Sequence, residues 1–295
     1  MLYTIQNELL SVSADDHGAE LNSVFCGGTE YLWQGDPKWW VGHAPILFPV
    51  IGTLRGASYL HCGKKYILSQ NHGFARHSRF NTVSKTDGAI TFSLFDNEET
   101  REVYPFQFEL LISYTLSGSS LRTDFKITNK SATDMYFSVG GHPAFNCPLF
   151  KDETFEDYEI VFNENETAGV HIVTDRLVLD EKLPFFNNSN RISLTHELFR
   201  KYQTLVFSDL KSTSVTLRSQ KTGMGVTLSF KGFPYFGIWQ PPGAPFICLE
   251  PWQGIDDSPD SSENLCDKKG IMRLAPNSFH TCGFVLDTGT SGILR

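Results

Sequence analysis

The chain lacks the features that would mark a nucleic-acid, membrane or redox protein. No run of Lys or Arg exceeds two residues and the formal net charge is -8, so a phosphate backbone would be repelled. No apolar stretch approaches the ~20 residues needed to span a bilayer. The opening segment, Met1 to Glu8, has neither a basic region nor an apolar one behind it, so nothing marks export. The six cysteines, Cys26, Cys62, Cys147, Cys248, Cys266 and Cys282, lie far apart without a C-x-x-C pair. That spacing argues against a zinc or redox motif and, with no export signal, for reduced thiols. A cytoplasmic protein with no nucleic-acid and no membrane partner is expected.

What the chain has in abundance is Phe and Gly, 24 of each. Aromatic side chains suit a pleated, half-buried surface, and frequent glycine suits frequent turns, so many short strands are favoured over long helices. Period-two stripes bear this out along the sequence: Ile90, Phe92 and Leu94; Phe108, Leu110, Ile112, Tyr114 and Leu116; Leu121, Thr123, Phe125 and Ile127; Val226, Leu228 and Phe230. Turn residues such as Ser117-Gly118-Ser119 and Lys221-Thr222-Gly223 fall between them, as an antiparallel meander requires. One stretch reads as helix, Thr195 to Tyr202, with Thr195 as N-cap. No linker or repeat divides the chain. The expected fold is all-β, a single domain over residues 1–295 built as a large antiparallel β-sandwich with few short helices.

Four segments break the alternation and bring an ionisable residue among Gly, Pro and aromatic neighbours, where desolvation can move a pKa toward neutrality. They are Ile51 to Gly56, Asn71 to Arg76, Gly140 to Asn146 and Ile247 to Trp252. His142 follows a Gly-Gly pair and precedes Pro143, a corner from which an imidazole can enter a cleft and exchange protons; a core histidine satisfied by a carbonyl would read the same way. Glu250 ends the apolar run Pro245 to Leu249, where a carboxylate is costly unless paired or functional; a carboxylate at a strand end is the plain alternative. The nearby run Tyr235 to Trp239 offers aromatic faces for the C–H face of a sugar ring, so Trp239 and the adjoining Gln240 are candidate binding residues. His72, Arg76 and Arg55 could hold hydroxyl or acidic oxygens, or could form a solvated loop. His72, His77, His142 and His280 lie on separate segments without H-x-H or H-E-x-x-H spacing, so no metal is expected.

At these residues the chain resembles the aldose 1-epimerase superfamily and, within it, the LacX-like galactose mutarotase-related branch. The marks are Ala44 to Pro49 leading into Ile51-Gly52, then His72-Gly73-Phe74-Ala75-Arg76, Gly141-His142-Pro143-Ala144-Phe145-Asn146, Phe236-Gly237-Ile238-Trp239 and Leu249-Glu250-Pro251-Trp252-Gln253-Gly254, five motifs in order over nearly the whole chain. The resemblance implies a galactose mutarotase-like supersandwich, a sugar or sugar-phosphate ligand and no cofactor. It implies that His142 protonates the ring oxygen, that Glu250 deprotonates the anomeric hydroxyl and that His72 holds the sugar, with acid and base on opposite sides of one ring. Two departures stand out. Thr53 occupies the place of an arginine common in galactose mutarotases, with Arg55 as a stand-in. Gln203 falls where a substrate-binding aspartate would be. The His-Gly-Phe-Ala-Arg stretch is shared with hexose-6-phosphate 1-epimerases, so Arg55 and Arg76 also suit a phosphate. A monomer or homodimer is expected, and a non-catalytic sugar-binding protein of the same fold is the remaining alternative.

Overall fold

The sequence stripes become the buried face of a nine-stranded antiparallel sheet. In a computed structural model of the chain, described over residues 1–289, this sheet runs from Ser189–Ser193 at one edge to Asn81–Lys85 at the other. Residues 290–295 of the expected single domain lie outside the described residues. The Phe108–Ser117 and Ser120–Asn129 strands pair in register, with Tyr114 opposite Thr123 and Ile112 opposite Phe125. Phe108, Leu110, Ile112 and Tyr114 are all buried on one face. Period two therefore selects the face and the Gly118-Ser119 turn fixes the register.

A second, six-stranded sheet carries the shortest and most buried strands. Its path is Thr204–Ser208, Tyr235–Trp239, Phe246–Gln253, Val139–Gly141 and Ile46–Leu47, with Ala144–Asn146 also pairing onto Phe246–Gln253. Every residue of Phe246–Gln253 is buried. This agrees with its nearly continuous apolar run, as expected of a strand covered on both faces. The largest hydrophobic cluster extends from Ile5 to Leu286 and draws on both sheets and on a four-stranded sheet formed by residues 2–30. The all-β expectation holds.

The helix expected at Thr195 to Tyr202 forms over His196–Tyr202, and the Thr195 hydroxyl accepts from Leu198 N–H at 3.2 Å. A second helix, Glu98–Val103, was not anticipated. Asn97 caps it, and the Thr100 hydroxyl accepts in return from the Asn97 N–H. Among the described residues no helix is long and apolar enough to cross a membrane.

Candidate active site

Cross-strand register assembles the site. Gly140 lies opposite Trp252 and Ala144 opposite Cys248, so the same register carried across the His142-Pro143 corner sets His142 opposite Glu250. The corner is pinned on both sides: His142 N–H donates to Pro45 O at 3.1 Å and Leu249 N–H to Pro143 O at 3.1 Å. On the other flank of Glu250 lies Gly237, and beyond it Val206. The row Val206, Gly237, Glu250, His142 thus crosses neighbouring strands of one sheet. Gly237 is small for a reason: a Cβ there would meet Trp252 Cζ2 at 2.5 Å.

His142 Nε2 stands 3.2 Å from Glu250 Oε2, with the residues 6% and 1% exposed. The imidazole stacks on Trp40, ring centroids 5.0 Å apart, and meets the Trp239 ring edgewise at 5.7 Å. Burial raises the Glu250 carboxyl well above the usual carboxylate range, and the Asp256 carboxyl adds to the effect. Burial pushes the His142 imidazolium well below its ordinary value, reinforced by His72 and Arg76. The indole N–H of Trp252 favours the charged form of Glu250. His142 Nδ1, Glu250 Oε2 and Trp252 Nε1 are all buried without a hydrogen-bond partner among the described residues. So the 3.2 Å approach is a close polar contact and not a formed hydrogen bond. Three unpaired buried polar atoms at one spot are unusual in a folded protein and mark a site built for an incoming polar group.

His72 sits edge-on to His142, ring centroids 5.4 Å apart, on a left-handed residue at φ 64°. Its Nδ1 accepts from Gly52 N–H at 2.9 Å, which places the proton of the neutral ring on Nε2. Burial and the nearby Arg76 bring its pKa down to about 3, so it remains a neutral N–H donor at physiological pH. Ligand atoms of His72, His142 and Glu250 lie within 4.8 Å of one another, close enough for a metal. The residues do not suit one, because Nδ1 of His72 is engaged by a backbone donor and Nε2 carries the proton, leaving no lone pair to offer.

These groups open into a cavity of about 400 Å³, within the range of small-molecule sites. Of the residues expected from the sequence, His142, Glu250, His72, Arg76, Trp239 and Gln203 line it. Arg55 and Gln240 are not brought to its wall. Gln240 follows Trp239, so strand alternation turns it away; it is buried, donating to Ala244 O at 2.7 Å and contacting His196 Nδ1 at 2.9 Å. The Arg55 guanidinium lies 3.8 Å from Glu263 beside a separate small hollow. Sequence reasoning missed Trp40, Arg176, Val206 and Asp256, which do line the cavity. Asn71 opens a segment already singled out and Asp256 lies just beyond the Leu249 to Gly254 motif, whereas Trp40 and Arg176 carried no local signal.

Fold and site together define a β-sandwich protein with a buried histidine–glutamate pair at the floor of a small-molecule cleft. The family profile of aldose 1-epimerase matches residues 1–265, and the chain belongs to that family, in its LacX-like branch. It is 38% identical over 286 residues to Protein LacX (chromosomal) of Lactococcus lactis subsp. lactis, covering 94% of this chain and 95% of that one. The X-ray structure of a galactose mutarotase related enzyme from Lactobacillus acidophilus superposes with a TM-score of 0.93 at 37% identity, over 97% of both chains. A galactose mutarotase-like protein from Lactobacillus casei gives a TM-score of 0.87 at 30% identity, over 97% of this chain and 99% of that one.

Proposed function

We propose that the protein interconverts the α and β anomers of an aldose by acid-base ring opening and closure. The observation that carries this reading is the side-by-side His142 Nε2 and Glu250 Oε2, 3.2 Å apart with the carboxylate oxygen unpaired. Ring opening takes a proton from O1 and delivers one to O5, and both oxygens are bonded to C1. An acid and a base on adjacent strands therefore fit the two oxygens better than groups on opposite faces of the ring would. Glu250 as carboxylate accepts the O1 proton and His142 as imidazolium donates to O5; closure on the other face of the aldehyde reverses the transfers. Burial of each group opposes this charged pair and their proximity favours it, so the pair works with one proton between them. His72 Nε2–H supplies a fixed donor to the sugar, and Trp40 and Trp239 hold the imidazole in place.

A hexose 6-phosphate is a second reading of the same chemistry, favoured by two arginines, Arg76 and Arg176, among the residues that line the cavity. Following the equilibration of pure α anomers by NMR, free and 6-phosphorylated, tests both readings. Acceleration over buffer supports anomerisation, and the faster series names the substrate class. A protein that binds a sugar yet accelerates nothing is a binding module, and the enzymatic reading then fails.

A further inference from the structure

The carboxyl of Asp256 lines the cavity beside Glu250 and is assigned no part in the proton transfers above. Its surroundings are those of a fixed functional group. Oδ1 accepts from Thr53 N–H at 2.9 Å, its one side-chain hydrogen bond to another described residue. The carboxyl rests where Gly52 has no side chain: a Cβ there would fall 1.9 Å from Oδ1, and the left-handed φ of 65° suits glycine. The segment is clasped from behind. Asp257 N–H donates to Thr53 O at 3.1 Å, Arg55 N–H donates to Asp257 Oδ2 at 2.8 Å, and buried Lys268 binds Ile255 O at 2.6 Å and Asp257 Oδ1 at 2.8 Å.

The same turn also positions His72. Gly52 N–H donates to His72 Nδ1, and the next N–H in the chain, that of Thr53, donates to Asp256 Oδ1. Consecutive backbone donors thus hold a neutral N–H donor and a carboxyl acceptor at one cavity wall. We propose that Asp256 is a specificity-determining residue that accepts a hydrogen bond from one ring hydroxyl of the sugar, acting beside the donor His72. Such a donor and acceptor held by one turn suit neighbouring hydroxyls of a pyranose, and a buried acceptor rejects an analogue that lacks the hydroxyl. This inference rests on the anomerisation reading.

The charged groups around Asp256 give it a pH signature. Burial, with Asp257 and against Lys268 and the Thr53 N–H, pushes its pKa up to about 6; Glu250 is the other carboxyl in reach. Above that pH both oxygens only accept; below it one oxygen carries a proton and donates, so the charged acceptor for the sugar is lost while the Thr53 N–H keeps its partner.

The test compares wild type with Asp256→Asn and Asp256→Ala on a hexose that the wild type anomerises and on its single-deoxy analogues. Asp256→Asn retains an oxygen for Thr53 N–H, so it keeps the turn. It is expected to raise KM about 10- to 100-fold with kcat less affected, the range for losing a hydrogen bond to a charged group. It is also expected to abolish the wild-type rise in KM below about pH 6. For one deoxy analogue, wild type and Asp256→Ala should be equally poor, because the hydroxyl that Asp256 reads is already gone. If Asp256→Asn keeps wild-type KM and pH profile, or if every deoxy analogue is slowed by the same factor in wild type and variant, Asp256 only braces the turn and the proposal fails. If Asp256→Ala does not fold, Asp256→Asn and its pH profile decide alone. A wild type that accelerates no sugar overturns the anomerisation reading and this inference with it.

Discussion

Gly237→Ala isolates what one missing methyl does for the site. Gly237 has an ordinary strand conformation, so alanine introduces no backbone strain, and any cost must come from side-chain contact. An added Cβ would lie 2.5, 2.6 and 3.2 Å from Trp252 Cζ2, Cη2 and Cε2, where ordinary contact begins at 3.4 Å. The ring would have to retreat by about 1 Å. Retreat is hindered, because Trp252 is 3% exposed and packs with Leu47, Ile51, Val178, Val206 and Ile255, leaving room only toward the cavity it lines. Overpacking of this kind costs about 1–3 kcal/mol. Urea unfolding should show that loss, and anomerisation should fall as well, since Trp252 borders the Glu250 carboxylate. In a Trp252→Leu background the clash is gone, so most of the cost of Gly237→Ala should vanish, leaving a coupling energy of about 1–3 kcal/mol. A neutral Gly237→Ala, or one equally costly in the Trp252→Leu background, would refute the claim that this glycine exists to seat Trp252.

Glu250→Gln should cut the rate by about 10²- to 10⁴-fold while stabilising the fold at alkaline pH. The folded-state pKa of Glu250 is raised, so its contribution to stability is present below the unfolded pKa and lost as pH rises through the folded one. Unfolding at pH 8 and pH 4 checks the sign, and a glutamine variant less stable at pH 8 would make Glu250 structural. His142→Asn should abolish most of the rate and flatten a bell-shaped rate profile, because the working pair carries one proton and fails on gaining a second or losing the first; an unchanged bell would assign its limbs to other groups. Arg76→Ala should slow 6-phosphorylated hexoses more than free ones if Arg76 holds phosphate. An equal loss on both would leave the phosphate reading without support from this residue.

Strand content and the two ionisable residues that meet at the cavity floor were legible in the sequence for different reasons. Period-two stripes such as Phe108 to Leu116 state their own buried face, so the sheet needed no knowledge of distant residues. His142 and Glu250 were visible because each is an ionisable residue among Gly, Pro and aromatic neighbours. Their 3.2 Å approach was not visible, since it depends on the register of Phe246–Gln253 against two short strands. Gln240 was misplaced by ignoring the same alternation that was used elsewhere: its neighbour Trp239 faces the cavity, so Gln240 cannot. The helix at Glu98–Val103 escaped because it is a single capped stretch with little apolar periodicity, specified by Asn97 and Thr100 more than by packing. Trp40 and Arg176 escaped because only the tertiary fold brings their segments over the sheet.

The division between sheet and rim has a chemical consequence. His142, Glu250 and Trp252 sit on or beside the most buried strand, held by register and by close glycines, a setting that keeps the histidine and the carboxyl in fixed geometry. Gln203 lies at the end of a helix and Arg176 in the turn of the Val170–Thr174 and Leu177–Leu183 hairpin, both at positive φ and both on the cavity wall. Such positions tolerate substitution without disturbing the sheet. On the proposed anomerisation reading, proton transfer is bound to the core, where any change in register separates the pair. On the same reading, choice among sugars would fall to Gln203, Arg176 and Asp256, which line the cavity. Exchanging the 175–176 turn should accordingly shift which sugar is preferred while leaving the pH dependence set by His142 and Glu250 in place, and a turn exchange that moves the bell would show that rim and core are not separable.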